Sequence, residues 1–223
     1  MNMHRTPWRW CLLITLLALP LLNGCNYFAA AAALTPVYKD PEYKKLDHQS
    51  IGVMVWADRG IVIDWPDIQL DVAGAVQSKL EAAQKAGRKE LAGATFPVLP
   101  ASIARYQRDH PEIEAYPITD VAPKLGVSRL IYIEIQDFRT RSEAAVELFH
   151  GSLSANVKIL EIADGKATAG YDVDGLRVVY PKNSPEEGAM EGQDVQIYAG
   201  TLDAFSSELC LKLLRHQVDV GEE

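Results

Sequence analysis

The 223-residue sequence predicts an α/β fold: a mixed sheet packed with helices, in which β-α units are followed by an antiparallel meander and a C-terminal helix. Three observations predict it. The run IGVMVW, residues 51–56, is apolar on both faces, as a strand inside a covered sheet must be. Apolar residues in DIQLDVAGAVQSKLEAAQKAG recur at three, four and seven positions, which places them on one helical stripe. From Ser128 onward, SRLIYIEI and GSLSANVKILEI alternate with the period of two that a strand imposes. Strands and helices alternate first and then give way to consecutive strands, so the class is a two-layer or three-layer sandwich on a mixed sheet.

The elements follow in order. After the strand at Ile51–Trp56, WADRGIVIDWP turns and brings a second short β-branched run. The next helix carries Val72, Ala73, Val76, Leu80 and Ala83 on its stripe, with Asp67 capping its start and Gly87 its end. FPVLPASIARYQRDHPE predicts a short strand and a short helix closed by His110-Pro111. Thr119 and Asp120 open another helix; Pro123 falls in its first turn, where a missing amide hydrogen costs little, and Gly126 ends it. In the strand SRLIYIEI, Ile131, Ile133 and Ile135 share one face, and Leu130, Tyr132 and Glu134 the other. Asp164-Gly165 marks a hairpin turn before KATAGYDV, since that dipeptide takes up positive φ readily. A third antiparallel strand is expected at LRVVYP, an exposed acidic loop at PKNSPEEGAMEGQD, and a last helix from Val195 to His216 with Tyr198, Leu202, Phe205, Leu209 and Leu213 on its stripe.

Ahead of this body the sequence has a different character. His4, Arg5 and Arg9 precede an apolar run from Trp10 to Leu22, about a dozen residues where a bilayer span needs roughly 20. The order is positive, then apolar, then small, the layout of a secretory signal. At the expected cleavage point, Leu22-Asn23-Gly24-Cys25 resembles the lipobox of bacterial lipoproteins. That resemblance implies diacylglycerol on the Cys25 thiol, cleavage before it, and a mature chain whose first residue carries three acyl chains. Asn26, in place of the Asp that retains many lipoproteins at the inner membrane, by the same analogy favours the outer membrane, facing the periplasm. The alternatives are an ordinary secreted chain with a chance thiol, and a true membrane span. The expected organisation is thus a signal peptide over 1–24, a lipidated tether over 25–48, a single α/β domain over 49–218 and a disordered tail over 219–223.

Composition narrows the partners. The 22 Lys and Arg residues become 20 once Arg5 and Arg9 leave with the signal, against 30 Asp and Glu, a net charge of −10. An acidic body argues against nucleic acid, which needs a basic footprint. Of three cysteines, Cys11 leaves and Cys25 takes lipid, so only Cys210 remains and no intramolecular disulfide forms. The fold must hold by its core.

ITDVAPKLGVSRLIYIEIQDF resembles a helix-Leu-Gly-strand segment, and SANVKILEIADGKATAGYDV a hairpin with an acidic-Gly turn, that recur in periplasmic lipoproteins of the CsgG, LpoB and TolB amino-terminal-domain type. The resemblance spans residues 50–216 by order and pattern. It implies a non-enzymatic lipoprotein that binds another envelope component: a synthase, a secretion channel, or its own copies in a ring.

Residues that could carry chemistry are few. His48, His110, His150 and His216 show no metal-ligand spacing with a third donor, and no GxSxG elbow, HExxH helix or phosphate loop is present. Asp58, Asp64, Asp67 and Asp71 cluster around a turn and could bind calcium through oxygen, but capping explains Asp67 and solvation the others. Cys210 flanks the last helix's apolar stripe, where a free cysteine packs as a small hydrophobe. Trp56 and Trp65 bracket the first strand-to-helix connection; either they close the edge of the core or they form part of a partner-binding patch. No cofactor and no catalytic or metal-binding residue is expected. The expectation is a lipid-anchored adaptor or assembly factor that binds an envelope protein, with a subunit of an oligomeric secretion or export apparatus as the alternative.

Overall fold

The computed structural model describes residues 36–142, 148–182 and 193–218. The readings made for the signal, Cys25, the alanine run, the acidic loop beyond Lys182 and the tail fall outside the described residues. Two compact units are present. One holds a small antiparallel pair, β1 (Val37–Lys39) with β6 (His216–Val218), in which Tyr38 lies opposite Gln217. The other is the body, Asp40–Arg215.

The body is an α/β structure on a four-stranded mixed sheet of order β2-β3-β4-β5. β2 (Ile51–Ala57) runs parallel to β3 (Arg129–Arg141), while β3 with β4 (Phe149–Ala163) and β4 with β5 (Lys166–Tyr180) are antiparallel. Its helices are α1 (Arg59–Asp64), α2 (Ile68–Lys85), α3 (Pro100–Asp109), α4 (Ile118–Val121) and α5 (Asp194–Leu213).

Period-two alternation sorts the strands onto two cores. Val53, Val55, Ile131, Ile133, Ile135, Val157 and Ile159 face α2 and α5, whose own stripes bury Val72, Val76 and Leu80, and Phe205, Leu209 and Leu213. This is the main core. Met54, Leu130 and Leu160 face the other way, onto Ile103 of α3, Ile113, Val121 and Ala122. Around Met54 and Leu130 the sheet is therefore covered on both sides, which is why the run Ile51–Val55 is apolar on both faces.

Several expectations are corrected. The β-branched run after β2 is the helix α1: Ile61, Val62 and Trp65, spaced as one helical face, pack on the main core while Ile63 is 69% exposed. A strand would have put Ile61 and Ile63 on the same side. FPVLP forms no strand: one parallel bridge joins the preceding Thr95 to Ser50, and Pro97 and Pro100 lack the donors a longer ladder needs. The helix expected at Thr119 starts at Ile118 and turns into a 3-10 segment at Ala122–Leu125, where Pro123 has no amide hydrogen for the α ladder. LRVVYP is the second half of the unbroken strand β5. Asp174 and Gly175 lie opposite the single residue Asn156, a β-bulge in which Gly175 takes φ of 65° and donates its amide hydrogen to Asn156 Oδ1 at 2.9 Å. Asp67 occupies the N-cap of α2 but makes no side-chain capping bond, and α5 stops at Leu213, leaving His216 to β6.

The expected tether also ends sooner. Tyr43 and Leu46, three residues apart, are only 4% and 1% exposed and belong to the main core. Burying such side chains contributes roughly 1.5–3 kcal/mol each, enough to hold the segment down. Glu161 fastens it further, accepting hydrogen bonds from Tyr43 Oη at 3.1 Å and Lys45 Nζ at 3.0 Å. The Lys45 bond holds the Glu161 carboxyl below its ordinary 4.5. At the start of α5, hydrogen bonds from Arg141, at 2.8 and 2.6 Å, likewise hold Asp194 below its ordinary 3.8. Depressed folded values mean that this stability is fully present above the unfolded values and is lost as pH falls through the folded ones. The melting temperature is accordingly expected to drop as pH is lowered below about 4.5. In Glu161→Gln the same acid titration followed by circular dichroism should show a shallower fall.

Candidate functional site

The second face of the sheet is only partly covered. Along β3 and β4 its cross-strand pairs run Leu130–Leu160, Tyr132–Lys158 and Glu134–Asn156, from apolar to polar. The short helices sit over the apolar end. Where they stop, a cleft of about 560 Å3 opens. Its floor is Met54 and Trp56 from β2 with Tyr132 and Glu134 beside them on β3; one wall is the Ala101–Arg108 side of α3, the other is Ile113–Tyr116 with Ile118 and Val121. Pro66, Asp67, Gln69 and Leu70, at the start of α2, close its end.

Each strand residue reaches the floor by parity. Gly52, Met54 and Trp56 alternate against the main-core residues of β2, and Tyr132 and Glu134 do the same on β3. Since β2 is an edge strand, its outward backbone needs other partners. Gln107 supplies one, donating from Nε2 to the Val55 carbonyl at 2.9 Å, and so fixes α3 against that edge.

The polar groups around the cleft are largely uncommitted. Neither the Trp56 indole, the Tyr132 hydroxyl, the Glu134 carboxylate nor the guanidinium groups of Arg105 and Arg108 make a hydrogen bond or ion pair among the described residues. Farther along the same face Lys158 pairs with Asp172 at 3.5 Å and Asn156 accepts from the Gly175 amide. Burial, with the Glu134 charge adding to it, pushes the Tyr132 hydroxyl up to about 12, so it stays protonated and able to donate. A partly buried aromatic floor edged by two arginines and by the carboxylates of Asp67, Glu114 and Glu134 is suited to holding a ligand.

The structure separates the two tryptophans singled out from sequence. Trp56 lies on the cleft face. Trp65 lies on the main-core side, stacked on Tyr198 with centroids 5.4 Å apart and meeting Phe138 edge-on at 5.1 Å. Tyr198 in turn donates to Asp71 Oδ2 at 2.7 Å; its hydroxyl is raised above its ordinary value, mainly by burial and then by that acceptor. Of the aspartates near the first turn, Asp58, Asp64 and Asp67 are exposed and Asp71 is taken by Tyr198. Among the described residues no three His, Cys, Asp or Glu side chains gather as a metal site. Cys210 packs against the main core, and burial raises its thiol to about 11, which keeps it protonated at neutral pH.

Tyr132, Glu134, Arg105 and Arg108 were not singled out from sequence. A signal was present for three of them. Glu134 shares a face with Leu130, a carboxylate on a side otherwise patterned for burial, and Arg105 and Arg108 stand three apart on a short helix.

No protein-family model matches the chain, and a search of curated proteins gives no match either. Among solved structures, the chain is similar to the PelC dodecamer from Paraburkholderia phytofirmans, at 9% identity, covering 82% of this chain and 99% of that one, with a TM-score of 0.44. It is also similar to the hypothetical protein CT253 from Chlamydia trachomatis, at 16% identity over 59% of this chain and 72% of that one, with a TM-score of 0.37. A third is lipoprotein GNA1162 from Neisseria meningitidis, at 12% identity over 67% and 90% of the two chains, with a TM-score of 0.35. At scores below 0.5 these likenesses carry no argument about chemistry, partners or assembly, which rest on the chain's own residues.

Proposed function

We propose that the chain is a non-enzymatic, lipid-anchored protein of the bacterial cell envelope that binds another envelope protein through the cleft floored by Trp56 and Tyr132. The observation that carries this reading is the set of uncommitted polar side chains around an aromatic floor. These side chains are open to solvent and bonded to nothing in the described residues, so a partner can take them up without first breaking a bond within the chain. The groups that line the cleft, aromatic and aliphatic side chains with arginines and carboxylates at its edge, suit contact with another protein. The anchor rests on the sequence around Cys25. No described helix is long and apolar enough to cross a membrane.

The test is affinity capture by the anchored full chain from detergent-solubilised native envelopes, beside Trp56→Ala. Trp56 is at the cleft and outside the main core, so its truncation should leave the melting curve within about 1–2 kcal/mol of the wild type while partner capture is lost. Capture that survives Trp56→Ala contradicts the reading. Native mass of the purified body should give a monomer or dimer; a high symmetric oligomer would favour the alternative of an oligomeric export apparatus.

A further inference from the structure

We infer that the two-stranded pair β1–β6 is a second membrane contact: its Val37–Val218 end enters the headgroup layer of the bilayer that holds the lipid on Cys25. This rests on the reading of the chain as lipid-anchored, and it adds a contact made by side chains to the one made by acyl chains.

A two-stranded pair of three residues each is at best marginally stable in water unless something packs on it. Five of these six residues are exposed, and Val37, Tyr38 and Val218 show 50%, 50% and 38% of their surface. The register orders the pair along its length: Val37 opposite Val218, then Tyr38 opposite Gln217, then Lys39 opposite His216. Apolar first, then an aromatic ring beside an amide, then an ammonium and an imidazole, is the order of environments met on leaving a bilayer for water. Tyrosine collects at the headgroup level because its ring is apolar and its hydroxyl is wet, and a lysine stem lies along that boundary with its charge outside.

The covering surface follows from where the chain enters the pair. Strand β1 is entered at Val37, and only the eleven residues 26–36 separate it from Cys25, a span of at most about 40 Å. A lipid on Cys25 thus keeps the valine end near the bilayer. Short linkers give effective concentrations on the order of millimolar, at which a contact too weak to bind alone is occupied. Charge does not draw the pair to lipid, since Asp40 and Asp219 flank it. Its apolar side chains do, so the contact should persist on zwitterionic lipid and at high salt.

The experiment uses the mature lipidated chain in phosphatidylcholine vesicles, with and without nitroxide-labelled acyl chains, and an environment-sensitive fluorophore on one introduced cysteine, Val218→Cys or His216→Cys. Both positions are far from Cys25 along the chain, so they report the pair and not the linker. Cys210 packs against the main core with its thiol raised to about 11, which leaves the introduced thiol as the reactive one. Co-flotation with the vesicles is scored first, and a chain that stays in solution overturns the anchored reading and this inference with it. In a chain that floats, the label at position 218 should shift to the blue and be quenched by the nitroxide. The label at position 216 should be quenched less, and Val37→Asp should abolish the quenching at 218. Unquenched, unshifted emission at 218 overturns the inference and leaves the anchor standing. Quenching that is equal at the two positions, or indifferent to Val37→Asp, is proximity alone and overturns it too. A blue shift without quenching puts protein, such as a second copy, over this end in place of lipid and likewise overturns it.

Discussion

Replacing Trp65 with alanine should destabilise the body by about 2–4 kcal/mol, lowering its melting temperature by roughly 5–15 °C. The size follows from where the ring sits. Trp65 ends α1 and packs on the main core, in a three-ring cluster with Phe138 from β3 and Tyr198 from α5. Aromatic pairs at such distances add about 0.5–1.5 kcal/mol each beyond the area they bury, and the alanine forfeits two of them. α1 is six residues long, too short to persist by itself, so the loss of its packed end should also loosen Ile61 and Val62. Urea unfolding followed by circular dichroism measures this. An unchanged midpoint accompanied by lost partner capture would move Trp65 from the core to an interface and reverse the roles assigned to the two tryptophans.

The second large effect is at Cys25. If its thiol is acylated, a chain bearing three acyl groups is retained on its membrane, since each buried methylene contributes about 0.8 kcal/mol and two anchoring signals already suffice. Mass spectrometry of the mature amino terminus should find Cys25 carrying lipid and no residue before it. Cys25→Ser removes the acceptor and should change both the processing and the fractionation, shifting the protein out of the membrane pellet. Equal processing and equal sedimentation of wild type and variant would remove the anchor, and with it the assignment to the membrane.

The parts of this fold legible in the sequence are those in which one periodicity reports one environment. β3 is the clearest, because Ile131, Ile133 and Ile135 meet one core and Leu130 and Tyr132 the other. The stripes of α2 and α5 and the hairpin turn, where Asp164 and Gly165 take φ of 51° and 73°, were equally readable. Segments of three or four apolar residues were not. Ile61-Val62-Ile63 has strand propensity, yet the helix wins because it delivers Trp65 to the core with Ile61 and Val62. Asp174-Gly175 carries the same dipeptide as the true turn, and only the pairing across to Asn156 distinguishes a bulge from a reversal. Residues 40–48 look like a tether because two core side chains in nine make no pattern; Tyr43 and Leu46 are held by strands and helices far along the chain. For the cleft, the sequence supplied Trp56 alone. Its other members come from β2, β3, α3, the stretch Ile113 to Val121 and the start of α2, and their convergence is a product of the sheet order and of where the covering helices stop.

The central claim is that the face bearing Trp56, rather than the face bearing α2 and α5, meets another envelope protein. It is tested most directly by placing a photo-crosslinking amino acid in the anchored full chain, either at Ala101, exposed on the cleft wall, or at Ser78, exposed on α2. Illumination of intact envelopes should yield one discrete adduct with a second protein from position 101 and none from position 78. An adduct from position 78 alone, or the same adduct from both, would contradict the account.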